Sequence, residues 1–491
     1  MAWALLRENR EAVAAKLRRG EYDGLVQTGM GRADELVYLM NSLHFFDHLE
    51  QVEVKEERAG IPNDLQKRCL AVMPILGIPT IANVPDRLFK DAGLLHFLGC
   101  TAQQITSGFT QRGPKKNKQQ PKRLPFHEDD LRNLSKTIPV SSSQRFFKNC
   151  VGELFRHKQV RGGVYALDGT ELLVGDAKTF EGVGTIVTPV YHKDGSVTYE
   201  TKTGYKLIYL LNLERDRELV VSYRLVPLNT HALQVVREMV EETLQVGGAG
   251  AIELLLMDRE FVDGDLINWL KGEHRIDVII PVKENMDILA DLRGLERIDQ
   301  RPWQTYTKLV WRRTHKDQPK QKVVAHVRVK GFEGLTTWSS CPIPLNGILR
   351  LKDDETPNDA HGLVTTLPVR DAIRIDRQYG ARWGIENDGN RELKQGWDLE
   401  TLWGRTLAAV TMSVVMKLLG YNYVKLFHTR SGSRLIANGM RRLRARVLDE
   451  GFQVIVYAGN EFGVFHIEEI ATLLGAPPKM SFRRATDVSP P

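Results

Sequence analysis

The sequence predicts an α/β protein. A mixed-sheet core is interrupted by a β-rich insertion, with a helical N-terminal region before it and a basic helical C-terminal region after it. Three observations predict this. From about residue 161, short apolar, β-branched runs such as "GVYALDGTELLV" alternate with amphipathic stretches such as "HALQVVREMVEETLQV". Before that point, apolar residues recur at helical spacing. After residue 286, a basic strand-like block separates two parts of the alternating pattern.

Residues 1–109 read as helical because "ADELVYLMNSLHFFDHLEQV" and "VPDRLFKDAGLLHFLG" place apolar residues on one helical face. Residues 110–125, "TQRGPKKNKQQPKRLP", carry six Lys/Arg, three prolines and no acid, the composition of an exposed basic linker or loop. A helical connection fills 126–160. The first part of the core, 161–285, contains the strands "GVYALDGTELLV", "TGYKLIYLLNL", "ELVVSYRLVPL", "AIELLLMDREF" and "IDVIIPVK", with helices at "HALQVVREMVEETLQV" and "DGDLINWLKGEH". The insertion spans 286–370, where "WQTYTKLVWRR" and "QKVVAHVRVKGF" form a hairpin around "THKDQPK". The core resumes over 371–430 with "RQYGARWGIENDGNRELKQGW" and a long apolar helix. Residues 431–491 form the C-terminal region, which opens on a basic run containing "RRLRAR".

A chain of 491 residues is too long for one ordinary core. Its 42% hydrophobic and 26% charged content are those of a soluble globular protein. The net charge of +7 is moderate, so its distribution carries more information than its total. Between Arg301 and Lys330 there are nine Lys/Arg against one acid, and between Thr401 and Arg446 nine against none. A single charge run is explained by a solvated surface, but three acid-poor regions in one chain suit contacts to nucleic-acid phosphates. Cys69, Cys100, Cys150 and Cys341 form no C-x-x-C pair, so they read as reduced, mostly buried thiols of a cytoplasmic protein. The N-terminus lacks the order of a secretory signal. The apolar stretch Leu407–Leu426 carries Lys417 and Asn422 and reads as a buried helix, so no membrane is expected as a partner.

Two strand ends deliver an aspartate. Asp168 follows Tyr165-Ala166-Leu167 and precedes a Gly-Thr pair read as a turn, and Asp258 ends the apolar run "LLLM". Carboxylates in such places suit a hard divalent cation, which takes oxygen ligands. With a third acid on a neighbouring helix they could bind two Mg2+ ions about 3.5–4 Å apart, the arrangement used for phosphoryl transfer. Taken singly, each aspartate is explained by bonds to nearby backbone amides, and Glu386 by a solvated helix face. Glu171, Asp176, Glu260, Asp263 and Asp388 read as surface charges. The motif "LDGT" echoes haloacid-dehalogenase-like phosphatases, but Ala166 stands where their nucleophilic aspartate belongs, which excludes that chemistry.

Around Glu386 the segment keeps Gly384 and Gly389, although glycine costs a helix interior about 1 kcal/mol relative to alanine. If the helix is continuous, Tyr379 lies about 20° from Glu386 around the axis, Arg382 about 40° and Lys394 about 80°. All four then share a face suited to a metal-bound carboxylate flanked by groups that hold phosphate.

These residues resemble the DDE transposases of bacterial insertion sequences, in the group with a Y-x2-R-x3-E-x6-K signature. "YGARWGIE" supplies Tyr379, Arg382 and Glu386 at the family's spacing. "YALDGT" resembles its first-aspartate strand and "LLMDREFVDG" its second. The resemblance covers roughly Val164 to Phe427. It implies an RNase H-like core with Asp168, Asp258 and Glu386 as the catalytic, metal-binding triad, using two Mg2+ ions or Mn2+ in their place. It implies cut-and-paste transposition: cleavage at the transposon ends, then strand transfer by the freed 3′-hydroxyl. Partners would be terminal inverted repeats and target DNA, held by a homodimer on the bacterial nucleoid.

The helical N-terminal region is expected to read the ends and the insertion to contact them, with Trp303 or Trp311 either stacked on an unpaired base or packed in the core. The family's Lys lies seven residues after the Glu, where this chain has Leu393. Lys394 takes that role if a π-bulge absorbs one residue near Asn387–Asn390; otherwise Arg391 or no residue does. The alternatives are a transposase-derived DNA-binding protein without catalysis, and a metal-dependent nuclease without strand transfer.

Overall fold

The computed structural model describes residues 7–28, 33–55, 60–109, 125–175, 179–192, 194–213, 218–312, 321–352, 355–382, 389–430 and 453–475. Two compact units emerge: Leu154–Ala177 with Gly182–Arg391, and Met1–Glu153 with Lys178–Glu181 and Glu392–Pro491.

In the first unit the β-branched runs assemble into one ten-stranded sheet. Its strands here are β3 (Gly163–Leu173), β4 (Gly184–Tyr191), β5 (Val197–Asn212), β6 (Leu219–Pro227), β7 (Ile252–Met257), β8 (Asp277–Pro281), β9 (Gln304–Arg312), β10 (Gln321–Leu335), β11 (Leu345–Lys352) and β12 (His361–Thr365). Strands β6, β5 and β3 pair antiparallel in that order, and β7 and β8 then add parallel to β3. Three antiparallel strands followed by two parallel ones make the RNase H-like core that the resemblance implies. The parallel strands need crossovers, and the helices Leu233–Gly247 and Gly264–His274 supply them. The first packs on β6 and the second on β8.

Strand β5 has two partners along one edge. Val197–Gly204 pairs with β4 and Tyr205–Asn212 with β6. At the junction the Gly184–Gly204 pair lets backbones approach closely, since a Cβ on Gly204 would run into the Leu172 carbonyl.

The insertion interrupts the core in sequence and extends it in space. Strand β12 pairs antiparallel with β8, and β11, β10 and β9 follow outward. The expected hairpin is β9–β10, while its connecting residues 313–320 lie outside the described residues. The helix Asp287–Ile298 packs against β10 and β11, and Ala372–Gly380 packs against β8 to β11.

The second unit has the apolar helix Leu407–Arg430 among Ala33–Ser42, Asn63–Ile75 and Glu128–Thr137. By length and composition it could cross a membrane, yet 89% of its apolar window is buried inside the protein. Lys417, fully buried there, donates to the carbonyls of Asp398 and Thr401, which answers the cost of burying an ammonium group. Gly420 of this helix faces Trp397, whose Cζ3 would lie 2.7 Å from an added Cβ. Gly420→Ala is therefore expected to lower stability by about 1–3 kcal/mol, the usual cost of overpacking, as read by urea unfolding. All four cysteines are free and buried, and burial pushes the Cys100 thiol up to about 12.

Two features differ from the sequence reading. The N-terminal region holds two short strands besides its helices, β1 (Arg7–Glu8) and β2 (Gly24–Thr28). The described part of the C-terminal region is a hairpin of β13 (Gln453–Ala458) and β14 (Glu461–His466) with the helix Ile467–Leu473. They form one small sheet, β1-β14-β13-β2. An apolar cluster including Val13, Leu17, Val456, Phe465 and Ile470 packs there. Strand β2 has only five residues, and its partner is at the other end of the chain, so nothing local marks it. The linker residues 110–124 and the basic run through "RRLRAR" lie outside the described residues.

Candidate active site

Register places the two aspartates. Strands β3 and β7 run parallel, and their last pair is Leu167 with Met257. Asp168 and Asp258 are the next residue on each chain segment, so they stand side by side where the parallel pairing stops, Asp258 just past the end of β7 and Asp168 midway along β3. Burial along β3 records the same boundary. Residues 165–168 are continuously buried between two partner strands, and burial alternates from Gly169 onward. The Gly-Thr turn expected after Asp168 is absent, because β5 continues to pair with Gly169 and Thr170 and holds them extended. Asp168 Oδ1 accepts a bond from the Gly169 amide at 2.8 Å. Asp258 caps the short 3-10 turn Arg259–Phe261, accepting from the Arg259 amide at 2.7 Å.

The helix Ala372–Gly380 brings the next pair. Its buried residues Ala372, Ile375, Asp376 and Tyr379 recur at helical spacing and face the sheet. The insertion docks this helix: Gln304 of β9 accepts from the Ala372 and Ile373 amides and donates to the Arg370 carbonyl. Arg382 follows just beyond the helix end. It is 5% exposed, donates from Nε to the Tyr379 hydroxyl at 3.1 Å, and lies 3.9 Å from Asp168 Oδ2. Burial acts to lower its pKa, but Tyr379, Asp258 and Asp168 outweigh that and hold it above the ordinary value. Both aspartates therefore act electrostatically on one buried guanidinium.

The continuous helix assumed for Tyr379 to Lys394 is not what the described residues show. The α-helix ends at Gly380, and residues 389–390 and 392–396 are π-helical. Glu386, with Gly384 and Asp388, lies outside the described residues. Arg391 is exposed, and Lys394 pairs with Glu400 at 2.8 Å. Of the acids read as surface charges, Glu171 pairs with Lys202, Glu260 pairs with Lys206, and Asp263 caps the helix Gly264–His274. Asp176 lies outside the described residues. Trp303 is half-buried and donates to Glu296 at 3.2 Å, while the Trp311 side chain lies outside the described residues.

Two residues that sequence reasoning did not single out complete the surroundings of Asp168. Asn390 donates to Asp168 Oδ2 at 3.1 Å, and Tyr209, opposite Asp168 in the β3–β5 register, donates to Asn390 Oδ1 at 2.8 Å. Tyr209 lies in the strand read from "TGYKLIYLLNL", but its place opposite Asp168 comes from the folded register. Asn390 had no sequence signal beyond its closeness to Glu386.

The donor set suits a hard divalent cation. Two adjacent carboxylates place oxygen ligands and negative charge together, which is what such an ion takes. No curated protein matches the chain. Among solved structures it is similar to a piggyBac transposase synaptic complex with hairpin DNA, determined by cryo-EM. The identity there is 10% and the TM-score 0.42, over 90% of this chain and 80% of that one. A family profile described as the transposase DDE domain matches residues 161–423. That match starts just ahead of β3, runs past both aspartates and the Tyr379–Arg382 pair, and takes in more than half of the sequence: the chain belongs to the family of DDE transposases.

Proposed function

We propose that this DDE transposase moves a bacterial insertion sequence by cut-and-paste transposition. The observation that carries the reading is the adjacency of Asp168 and Asp258 where the β3–β7 pairing stops, with Arg382 buried beside Asp168. Asp168, Asp258 and Glu386 would hold two Mg2+ ions, for which Mn2+ substitutes. When bound, such a pair activates an attacking oxygen and stabilises a leaving one.

The chain's own residues position the DNA. Arg382 offers a buried guanidinium whose fork geometry fits a phosphate, and Tyr379 fixes its orientation. Lys394 supplies the further cation, because its pair with Glu400 is half exposed and easily exchanged for a phosphate. Arg391 is the other candidate for that contact. Water attacks the phosphodiester at the transposon end, and the 3′-oxygen leaves as a hydroxyl. That hydroxyl then attacks a target phosphorus and displaces a second 3′-oxygen, with no covalent bond to the protein.

The helical N-terminal region reads the terminal inverted repeats, the basic insertion contacts them, and a homodimer pairs the two ends in the bacterial cytoplasm. The core begins at 161–285 and resumes at 371 after the insertion at 286–370, while the helix Leu407–Arg430 packs among the N-terminal helices.

The test uses pre-cut ends from the DNA flanking the gene, incubated with the full chain and a supercoiled target plasmid. With Mg2+, joined products are expected, and with EDTA none. Fragmentation of the plasmid without any joined product would replace this reading with that of a metal-dependent nuclease.

A further inference from the structure

The contacts of Asp168 extend beyond the family signature. Its two oxygens are held separately, Oδ1 by the Gly169 amide at 2.8 Å and Oδ2 by the Asn390 side-chain amide at 3.1 Å. Fixing both oxygens fixes the plane of the carboxylate. An ionised carboxylate only accepts hydrogen bonds, so the nitrogen end of Asn390 must face it. That leaves Asn390 Oδ1 for Tyr209, whose hydroxyl donates to it at 2.8 Å. Tyr209 is fully buried and sits opposite Asp168 in the β3–β5 register, so its position is set by the sheet itself.

We propose that Asn390, oriented by Tyr209, is a positioning residue that presents the Asp168 carboxylate to divalent cations. The inference rests on the reading of Asp168 as a metal ligand. Three considerations support it. The segment from Gly389 is π-helical, a geometry that shifts side-chain facing relative to an α-helix and recurs at functional sites. The donor is neutral, so it orients the carboxylate without adding to the positive charge of Arg382, which already lies 3.9 Å from the same oxygen. The chain of bonds also runs to a rigid strand, which is how groups behind a metal ligand hold its geometry.

The experiment measures Mn2+ binding to the full-length protein without DNA, following free Mn2+ by electron paramagnetic resonance. Wild type is compared with Asp168→Ala, Asn390→Ala, Tyr209→Phe and the Asn390→Ala/Tyr209→Phe pair. Asn390→Ala is expected to weaken apparent binding about tenfold, within the range found for groups behind metal ligands. Tyr209→Phe should weaken it by a smaller factor. The double variant should bind no more weakly than Asn390→Ala alone, because Tyr209 acts only through Asn390.

Wild-type affinity in Asn390→Ala, with binding lost in Asp168→Ala, would overturn the inference and leave the metal reading standing. Multiplying effects in the double variant would overturn the proposed relay. Unchanged binding in Asp168→Ala would instead sink the assignment of that ligand. Melting curves accompany each titration. If Asn390→Ala fails to fold, Tyr209→Phe alone decides, since it removes one oxygen and keeps the packed ring. Weakened binding in it then supports the relay, and wild-type binding overturns it.

Discussion

Asp258→Ala is expected to abolish excision of the element from a donor plasmid while the protein still binds the element's ends. The loss should be on the order of 10³-fold or more, equivalent to about 4 kcal/mol of barrier. A carboxylate that neighbours Asp168 at the end of a parallel strand cannot be replaced by the aspartate that remains. The structural cost is much smaller. Asp258 is half-buried and caps only a single 3-10 turn, so its removal should lower stability by about 1 kcal/mol.

Asp258→Asn separates the two effects. The asparagine oxygen can still accept from the Arg259 amide and keep the cap, but it carries no charge. The Asn variant should melt with the wild type and be as inactive as the Ala variant. Retained excision in Asp258→Asn would show that the residue is a turn former whose charge is not needed. If wild type also fails to excise although it binds the ends, the DNA-binding reading without catalysis becomes the better one.

The delivery of each aspartate by a buried strand was legible because it follows from a local pattern. Apolar runs of "YAL" and "LLLM" type mark strands buried on both faces, although only β7 ends at its aspartate and β3 continues to Leu173. The adjacency of the two aspartates was not legible, because β4, β5 and β6 lie between β3 and β7 in the chain and no local pattern assigns the β3–β7 pairing. The β9–β10 hairpin was legible from local pattern. Long-range pairing was not. Nothing in "GLVQT" says that it pairs with Gln453–Ala458, because a short, half-exposed strand carries no address for its partner.

The course of the chain after Gly380 was illegible for another reason. The heptad-like spacing of Tyr379, Glu386 and Lys394 assumed a continuous helix, whereas the α-helix ends at Gly380. The described chain is π-helical at 389–390 and 392–396, close to where a one-residue bulge was expected. Asn390 escaped notice because its contacts with Asp168 and Tyr209 arise only from that folded geometry.

Asp376→Ala should destabilise the protein by about 3–5 kcal/mol, the cost of breaking a buried ion pair by removing one partner. Asp376 is 3% exposed on the sheet-facing side of the helix that carries Tyr379. Its Oδ1 meets Arg350 Nε of β11 at 3.0 Å, and its Oδ2 accepts from the Tyr306 hydroxyl of β9. Burial first, then the hydrogen bond to Asp376, push the Tyr306 phenol well above its usual value, so it remains a donor throughout the physiological range. Two strands of the insertion are thereby tied through one carboxylate to the helix that positions Tyr379.

Removing that carboxylate leaves Arg350 without its counter-charge. Asp376→Asn keeps an acceptor for Tyr306 and should cost less, about 1.5–3 kcal/mol, the worth of a hydrogen bond to a charged group. The triple change Asp376→Leu, Tyr306→Phe and Arg350→Met removes the whole polar cluster. It should recover most of the stability lost in Asp376→Ala, because well-packed apolar replacements of buried ion pairs are often neutral or stabilising. Urea unfolding measures all three.

Stability recovered in the triple variant without recovery of DNA joining would show that the cluster serves geometry, holding the Tyr379 helix in register with the insertion. Recovery of both would reduce it to a dispensable buried pair. A triple variant no more stable than Asp376→Ala would mean that the loss came from packing around residue 376 and not from stranding the Arg350 charge.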